Sequence, residues 1–208
     1  MATRPKISRK RRQQILEAAV EVIAERGVAG ARIADVAERG GTSGPLVLYY
    51  FESKDKLLTE ALAFAEDRFY LAIFSDLTEL DTASERLVRL IELTCGHESA
   101  AEILREDVAL WIELWSRALR DERAGRKRAA MDRRWRRTIA DIVREGQEAG
   151  EFAAIDPEKF SMLLSSLLDG MVLQHVLGDP EAGYEQARDL CVGVARRYLE
   201  FPAPIETS

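Results

Sequence analysis

Apolar residues in this chain recur every three to four positions and almost nowhere alternate singly with polar ones. Ile15, Leu16, Ala19, Val22 and Ile23 set the pattern, which is the signature of a helix with one buried face. The same spacing predicts helices over 9–26, 33–39, 43–50, 54–77, 83–95, 102–120, 123–149, 157–177 and 181–200. The breaks have local causes. Gly27, Gly40-Gly41, Gly96, Gly150 and Gly178-Asp179-Pro180 stop helices, while Ser53-Lys54-Asp55 and Asp81-Thr82 open them. No alternating run is bounded by hairpin turns, so the fold class is all-α with about nine helices. The tail at 202–208 is expected to be disordered.

The shortest predicted helices carry the most information. Residues 32–51 read RIADVAERGGTSGPLVLYYF. Ile33, Val36 and Ala37 make one apolar face, and Gly40 and Gly41 end that helix in a left-handed conformation that glycine adopts at little cost. Thr42 or Ser43 can cap the next helix, whose first turn tolerates Pro45 because its amides have no intrahelical partner. Two short helices joined by such a turn form a helix-turn-helix, although the same pair also serves plain core packing. The surroundings favour DNA. Residues 1–12 contain Arg4, Lys6, Arg9, Lys10, Arg11 and Arg12 with no acid, ahead of an amphipathic helix. Three helices with a basic leading edge suit a head whose third helix enters the major groove.

Charge supports that placement. The formal net charge is −6, but residues 1–60 hold 11 basic and 8 acidic groups, against 19 and 28 in the remainder. A positive head on a negative body confines contact with a polyanion to the head. Cys95 and Cys191 are two lone cysteines far apart, no signal peptide opens the chain, and no run approaches a membrane span. A cytoplasmic protein with no membrane partner is expected. His97 and His175 have no metal-ligand spacing, Cys95-Gly96-His97 is too tight and isolated for a zinc or nucleophile site, and no phosphate loop is present. No catalytic residue, metal or cofactor is therefore expected. An all-α enzyme is the distant alternative, and a protein-binding adaptor without DNA affinity is the nearer one.

The chain resembles the TetR-type transcriptional regulators. The likeness runs from Arg12, Ile15-Leu16 and Ala18-Ala19 through Gly27, Asp35-Val36-Ala37, Gly41, Ser43 and Tyr50-Phe51 to Ser53-Lys54-Asp55 and Leu57-Leu58. Farther on, EGQEAGEF at 145–152 and Leu168-Asp169-Gly170 are similar to the betaine-operon, choline-responsive repressors. The resemblance implies a DNA-binding domain over 9–69 and a ligand-sensing and dimerisation domain over 70–201. It implies a ligand-released repressor that acts as a homodimer on double-stranded operator DNA and answers to a small effector whose identity is not legible. Where most members begin the recognition helix with a basic or polar residue and then Gly, this chain has Gly44-Pro45. Where Tyr usually follows, it has Leu48 with Tyr49 behind it.

Arg9, Arg12, Arg32, Ser43, Gly44, Pro45, Leu46, Tyr49, Tyr50 and Lys54 are the expected DNA-binding residues. Most hold phosphates, with Lys54 placed by the resemblance, while Pro45 and Leu46 offer apolar contact to thymine methyls. Leu163, Leu167, Met171, Leu190, Val194 and Tyr198 form apolar stripes on the last two long helices. Those stripes fit an internal core or a four-helix bundle with a second copy; the resemblance implies the latter. Trp111, Trp115, Phe160, Met171 and His175 are candidates to line an effector pocket, although aromatic residues at helical spacing also build cores. Asp169 joins that set because an acid in an apolar run, if buried, needs a partner: an arginine, a helix end or a cationic ligand. The ten basic residues between Arg117 and Arg137 read first as solvated helix faces paired with acids elsewhere, and only secondarily as a second nucleic-acid surface.

Overall fold

The computed structural model describes residues 4–96 and 101–202, with backbone alone at 4–8, 101–107 and 109. Among these residues the chain is built from helices only: α1 (Arg4–Gly30), α2 (Ile33–Arg39), α3 (Gly44–Phe51), α4 (Lys54–Leu77), α5 (Ala83–Cys95), α6 (Ala101–Ala118), α7 (Glu122–Glu148), α8 (Pro157–Val176) and α9 (Tyr184–Leu199). His97 and the tail at 203–208 lie outside the described residues.

Side-chain caps explain several of the helix starts. Ser43 Oγ accepts from the Leu46 amide at 3.4 Å, and Ser53 Oγ from the Lys56 amide at 3.2 Å. Thr82 and Glu85 close a reciprocal capping box at 3.2 and 3.1 Å, and Asp156 caps α8 ahead of Pro157 through the Lys159 amide at 3.0 Å. Two helices depart from the expected spans by more than two residues at an end. α1 begins at Arg4 rather than residue 9, because the basic run contains no residue that breaks a helix after Pro5. Gly27, with φ at 66°, still interrupts it where expected. α9 begins at Tyr184, not 181. Gly183 offers no capping side chain, and Asp179 folds the preceding residues into a turn by accepting from Glu181 N at 2.9 Å.

The chain divides into two compact units. The first comprises 1–69 with 109–128, the second 70–108 with 129–208. In the first unit, α2 packs on α1 and α3. Ile15, Ala19 and Ile23 of α1, Val36 and Ala37 of α2, Val47 and Phe51 of α3, and Leu57, Leu58 and Leu62 of α4 make up its buried apolar set. Each large apolar side chain taken from water there contributes about 1.5–3 kcal/mol. Only Gly41 of the glycine pair is left-handed, at φ 56°. Gly40 has a different reason to lack a side chain: a methyl group there would lie 3.1 Å from the Val36 carbonyl and 3.4 Å from Ala18 Cβ.

In the second unit, α5 packs on α8 and α9. Leu87, Leu90 and Ile91 join Ile139 and Val143 of α7, Leu164, Leu168 and Val172 of α8, and Ala187, Ala195 and Leu199 of α9 in the buried set. The two cysteines, isolated in sequence, are not isolated in space. Cys95 and Cys191 are both buried and not joined by a disulfide, and their thiols are close enough to perturb one another. The Cys191 thiol, and then burial, push the Cys95 pKa up. EGQEAGEF forms the end of α7 and its exit. Glu151 reaches back to α5, where its carboxylate accepts from the Ala83 and Ser84 amides at 3.1 and 2.9 Å.

Candidate nucleic-acid interface and effector residues

α3 is amphipathic in an unusual sense, since both of its faces are largely apolar. Val47 and Phe51, one turn apart, are completely buried, whereas Pro45, Leu46, Leu48 and Tyr49 are exposed, Tyr49 by 79%. Core packing therefore accounts for one face only. Apart from the Tyr49 hydroxyl, the exposed face presents methyls, methylenes and a pyrrolidine ring. Such a surface can lie against thymine methyls but donates few hydrogen bonds to base edges. At the first position of the helix, a methyl on Gly44 would meet only Ile33 Cγ2, at an ordinary 3.6 Å. Nothing within the head demands glycine there.

The cationic and polar candidates surround this face to different degrees. Arg9 and Arg32 are exposed, and Tyr50 is half-buried with its ring edge-on to Tyr49 at 5.5 Å. Lys54 opens α4, its ammonium 3.5 Å from the Ala29 carbonyl. Arg12 is engaged within the head. It forms an ion pair with Glu60, and its guanidinium lies 4.9 Å from the centre of the Phe51 ring. Arg39, not among the expected residues, bridges α2 to Glu21 and Glu25 of α1 at 3.0 and 2.7 Å. Those carboxylates, Glu25 foremost, raise its already high pKa. Arg26 ties α1 to Asp35 of α2 at 2.7 Å. These bridges fix the frame on which α3 is mounted. Side chains at Arg4 and Lys6 fall outside the described set.

On α8 and α9 the hydrophobic phase separates two faces. Leu164, Leu168 and Val172 point into the second unit, as do Ala187, Cys191 and Ala195. Offset from them run Leu163, Leu167 and Met171 on α8 and Leu190, Val194 and Tyr198 on α9, each at i, i+4, i+8. Leu163, Leu190 and Tyr198 are 39, 47 and 51% exposed, with Met162 beside them at 55%, and Leu167, Met171 and Val194 are half-buried. Both helices thus carry apolar surface beyond what the unit's own core consumes.

The six expected effector residues are not gathered into one unit. Trp111 and Trp115 belong to the first, and Phe160, Asp169, Met171 and His175 to the second. Trp111 packs edge-on to Phe69 at 4.8 Å, and the face of Trp115 carries the Arg128 guanidinium at 4.0 Å. Phe160 is buried, its ring 6.2 Å from that of Tyr198. His175 Nδ1 lies 3.1 Å from the Ala182 carbonyl, anchoring the α8–α9 turn. Asp169 is exposed, not buried, because Leu168 and Val172 take the inward positions of its helix. Among the described residues, no group of three or more His, Cys, Asp or Glu side chains is placed to hold a metal ion, and no helix is long and apolar enough to cross a membrane.

Comparison with known proteins assigns both halves. Residues 15–61 match the pattern of the bacterial regulatory proteins of the tetR family, and residues 83–200 that of the BetI-type transcriptional repressor C-terminal region. The chain is similar to the HTH-type transcriptional regulator BetI of Cronobacter sakazakii, 27% identical over 198 residues and covering 94% of each protein. Among solved structures it is similar to a putative transcriptional regulator from Saccharomonospora viridis in complex with choline. The identity is 30%, the TM-score 0.79, and the match covers 90% of this chain and 96% of that one. It is also similar to a putative TetR-family regulator from Rhodococcus sp., at 29% identity and TM-score 0.77, over 91% of this chain and 98% of that one.

Proposed function

We propose, from the premise that this chain belongs to the TetR family of bacterial regulatory proteins with a BetI-type C-terminal half, that it is a ligand-released repressor acting as a cytoplasmic homodimer. The family makes it a transcriptional regulator and not an enzyme. The observation that carries the DNA-binding half is the exposed apolar face of α3, opposite Val47 and Phe51. A helix held by its buried side on a braced head, with a second face left outside, is suited to a major groove. Arg9, Arg32, Ser43, Tyr49, Tyr50 and Lys54 supply phosphate contacts around it, with Arg12 primarily bracing the head. Pro45 and Leu46 read thymine methyls, and Gly44 lets the start of the helix approach the duplex closely.

The paired stripes of α8 and α9 support a homodimer, since Leu163, Leu167, Met171, Leu190, Val194 and Tyr198 make a self-complementary apolar surface across a twofold axis. The choline complex of the similar protein supports a small quaternary ammonium compound as the effector class. Such cations bind aromatic faces and carboxylates. Within the second unit, Phe160, Met171, His175 and Asp169 remain the residues to examine for it. Release requires the effector to favour the DNA-incompetent conformation; a coupling of about 1–3 kcal/mol lowers operator affinity roughly 5- to 150-fold.

Selection of bound duplexes from a random pool tests this reading. A near-palindrome with half-sites one or more helical turns apart, rich in A·T where α3 lies, is the expected product. Failure to enrich any sequence would favour the adaptor instead. The selected duplex then serves to test release by choline and related ammonium compounds.

A further inference from the structure

The helix-turn-helix is not the whole of the first unit. Residues 109–128, the end of α6 and the start of α7, fold with it. Dividing the charges by that structural boundary sharpens their segregation. The first unit holds 18 basic and 13 acidic residues and the second 12 and 23, so the net charges are +5 and −11. Six of the 18 cations lie between Arg117 and Arg128, where the only acids are Asp121 and Glu122.

This basic corner has a definite position within its unit. Arg117 Nη1 lies 3.5 Å from Asp55 Oδ1 in the first turn of α4. Arg123 lies within electrostatic reach of Glu52, the residue that caps the end of α3. The Glu52 carboxyl is held below its ordinary range chiefly by Lys56, with Arg123 adding to the effect. One helical turn along α7, Lys127 has its ammonium pKa lowered by partial burial and then by Arg123 and Arg12, against the smaller pull of Asp67. The α6–α7 corner therefore flanks the Glu52-Ser53-Lys54 turn, where the chain passes from the groove-facing helix to the expected phosphate contact at Lys54. Arg120 and Arg123 are exposed there, and Lys127 is half-buried. Cations crowded together repel one another in the free protein, and a polyanion relieves that repulsion.

We propose that Arg120, Arg123 and Lys127 form an auxiliary phosphate clamp that grips duplex outside the half-site read by α3. The clamp rests on the operator-binding reading above. It contributes affinity and salt dependence but no base preference, because phosphates carry no sequence information. Each neutralised phosphate steepens the dependence of log K on log salt by about 0.9.

The test compares two versions of the duplex selected from the random pool. One is cut at the outer ends of the half-sites and the other carries about ten further base pairs on each side, roughly one helical turn. Wild-type protein should bind the longer duplex at least tenfold more tightly in moderate salt, with a slope steeper by about five when the clamps of both protomers engage three phosphates each. The R120Q/R123Q/K127Q variant should lose that gain while matching wild type on the short duplex and in base preference. R120K/R123K should retain it. Equal affinities and slopes for wild type and the triple Gln variant on both duplexes would overturn the clamp. So would an equal loss on both, which would place these residues inside the half-site or in the support of the head. Wild-type protein that binds neither duplex would overturn the operator reading, and the clamp with it.

Discussion

Replacing Gly146 with alanine should destabilise the protein although it improves the local helix propensity. Gly146 lies in the last turn of α7, where a methyl group would sit 2.2 Å from Cδ2, 2.4 Å from Cε2 and 2.8 Å from Cγ of Phe152. Carbon atoms in favourable contact stand about 3.5–4.0 Å apart, so the ring must retreat by more than about an ångström. It has little room to do so. Phe152 is buried against Phe201, with ring centres 5.2 Å apart. Its amide donates to the Gly146 carbonyl at 3.1 Å, and the next amide, of Ala153, donates to Leu199 O at 2.8 Å. Gln147 fastens the same loop by donating to the Ala153 and Ile155 carbonyls, each at 2.9 Å.

Overpacking of this kind costs about 1–3 kcal/mol, and expulsion of the ring would approach the roughly 3–5 kcal/mol of a Phe→Ala change. Against it stands about 1 kcal/mol by which Ala exceeds Gly in a helix interior. The difference spans about 0–4 kcal/mol, and its midpoint, about 2 kcal/mol, should lower Tm by roughly 4–8 °C for a chain of this length. The assay is urea and thermal unfolding at fixed protomer concentration, since self-association makes midpoints concentration-dependent. The same substitution in a Phe152→Ala background isolates the cause. There the clash is gone, and Gly146→Ala should be neutral or stabilising by up to about 1 kcal/mol. An unchanged or raised Tm for the single variant, or an equal penalty in both backgrounds, would refute the reasoning.

Two further outcomes follow from the second unit. Glu151→Gln should cost about 1–3 kcal/mol, because one carboxylate oxygen accepting from a helix-start amide is replaced by a donor. Partial burial alone would raise the Glu151 pKa, but the Ser84 and Ala83 amides outweigh it and hold it below the ordinary 4.5. Its contribution is therefore complete above the unfolded value and fades as pH falls through the folded one. Urea midpoints of wild type and variant should differ fully near pH 6 and converge as pH falls below the lowered folded-state pKa; a constant gap down to strong acid would contradict the assignment. Leu163→Glu and Leu190→Glu put carboxylates on the exposed stripes of α8 and α9. Each should shift the sedimenting species from dimer to monomer at micromolar concentration without loss of helicity, and an intact dimer in both would place the interface elsewhere.

The features legible in the sequence were those whose causes lie within a few residues. The starts of α3, α5 and α8 could be read because Ser43, Thr82 with Glu85, and Asp156 before Pro157 satisfy amides two or three positions on. The start of α9 carries no such mark, because Gly183 has no capping side chain. The outward position of Asp169 is written in the phase of Leu164, Leu168 and Val172, which takes the inward face of its helix. What could not be read was long-range partnership. Trp115 finds the Arg128 guanidinium thirteen positions along the chain, and Cys95 finds Cys191 only because α5 packs on α9.

The same limit bears on charge. Counting along the sequence gives the first 60 residues a balance of +3 and invites the conclusion that the basic run after Arg117 is ordinary solvated helix surface. Several of its members do have local partners, such as Arg126 with Glu122 at 2.7 Å. Yet the run begins inside the unit that carries α3, and an electrostatic surface is assembled by folding, not by order along the chain. A phosphate backbone samples every cation within reach of its track, whichever helix supplies it. The α6–α7 corner is thus better judged by its nearness to Glu52, Asp55 and Arg12 than by its distance in sequence from the helix-turn-helix. The comparison of short and long duplexes measures that nearness directly.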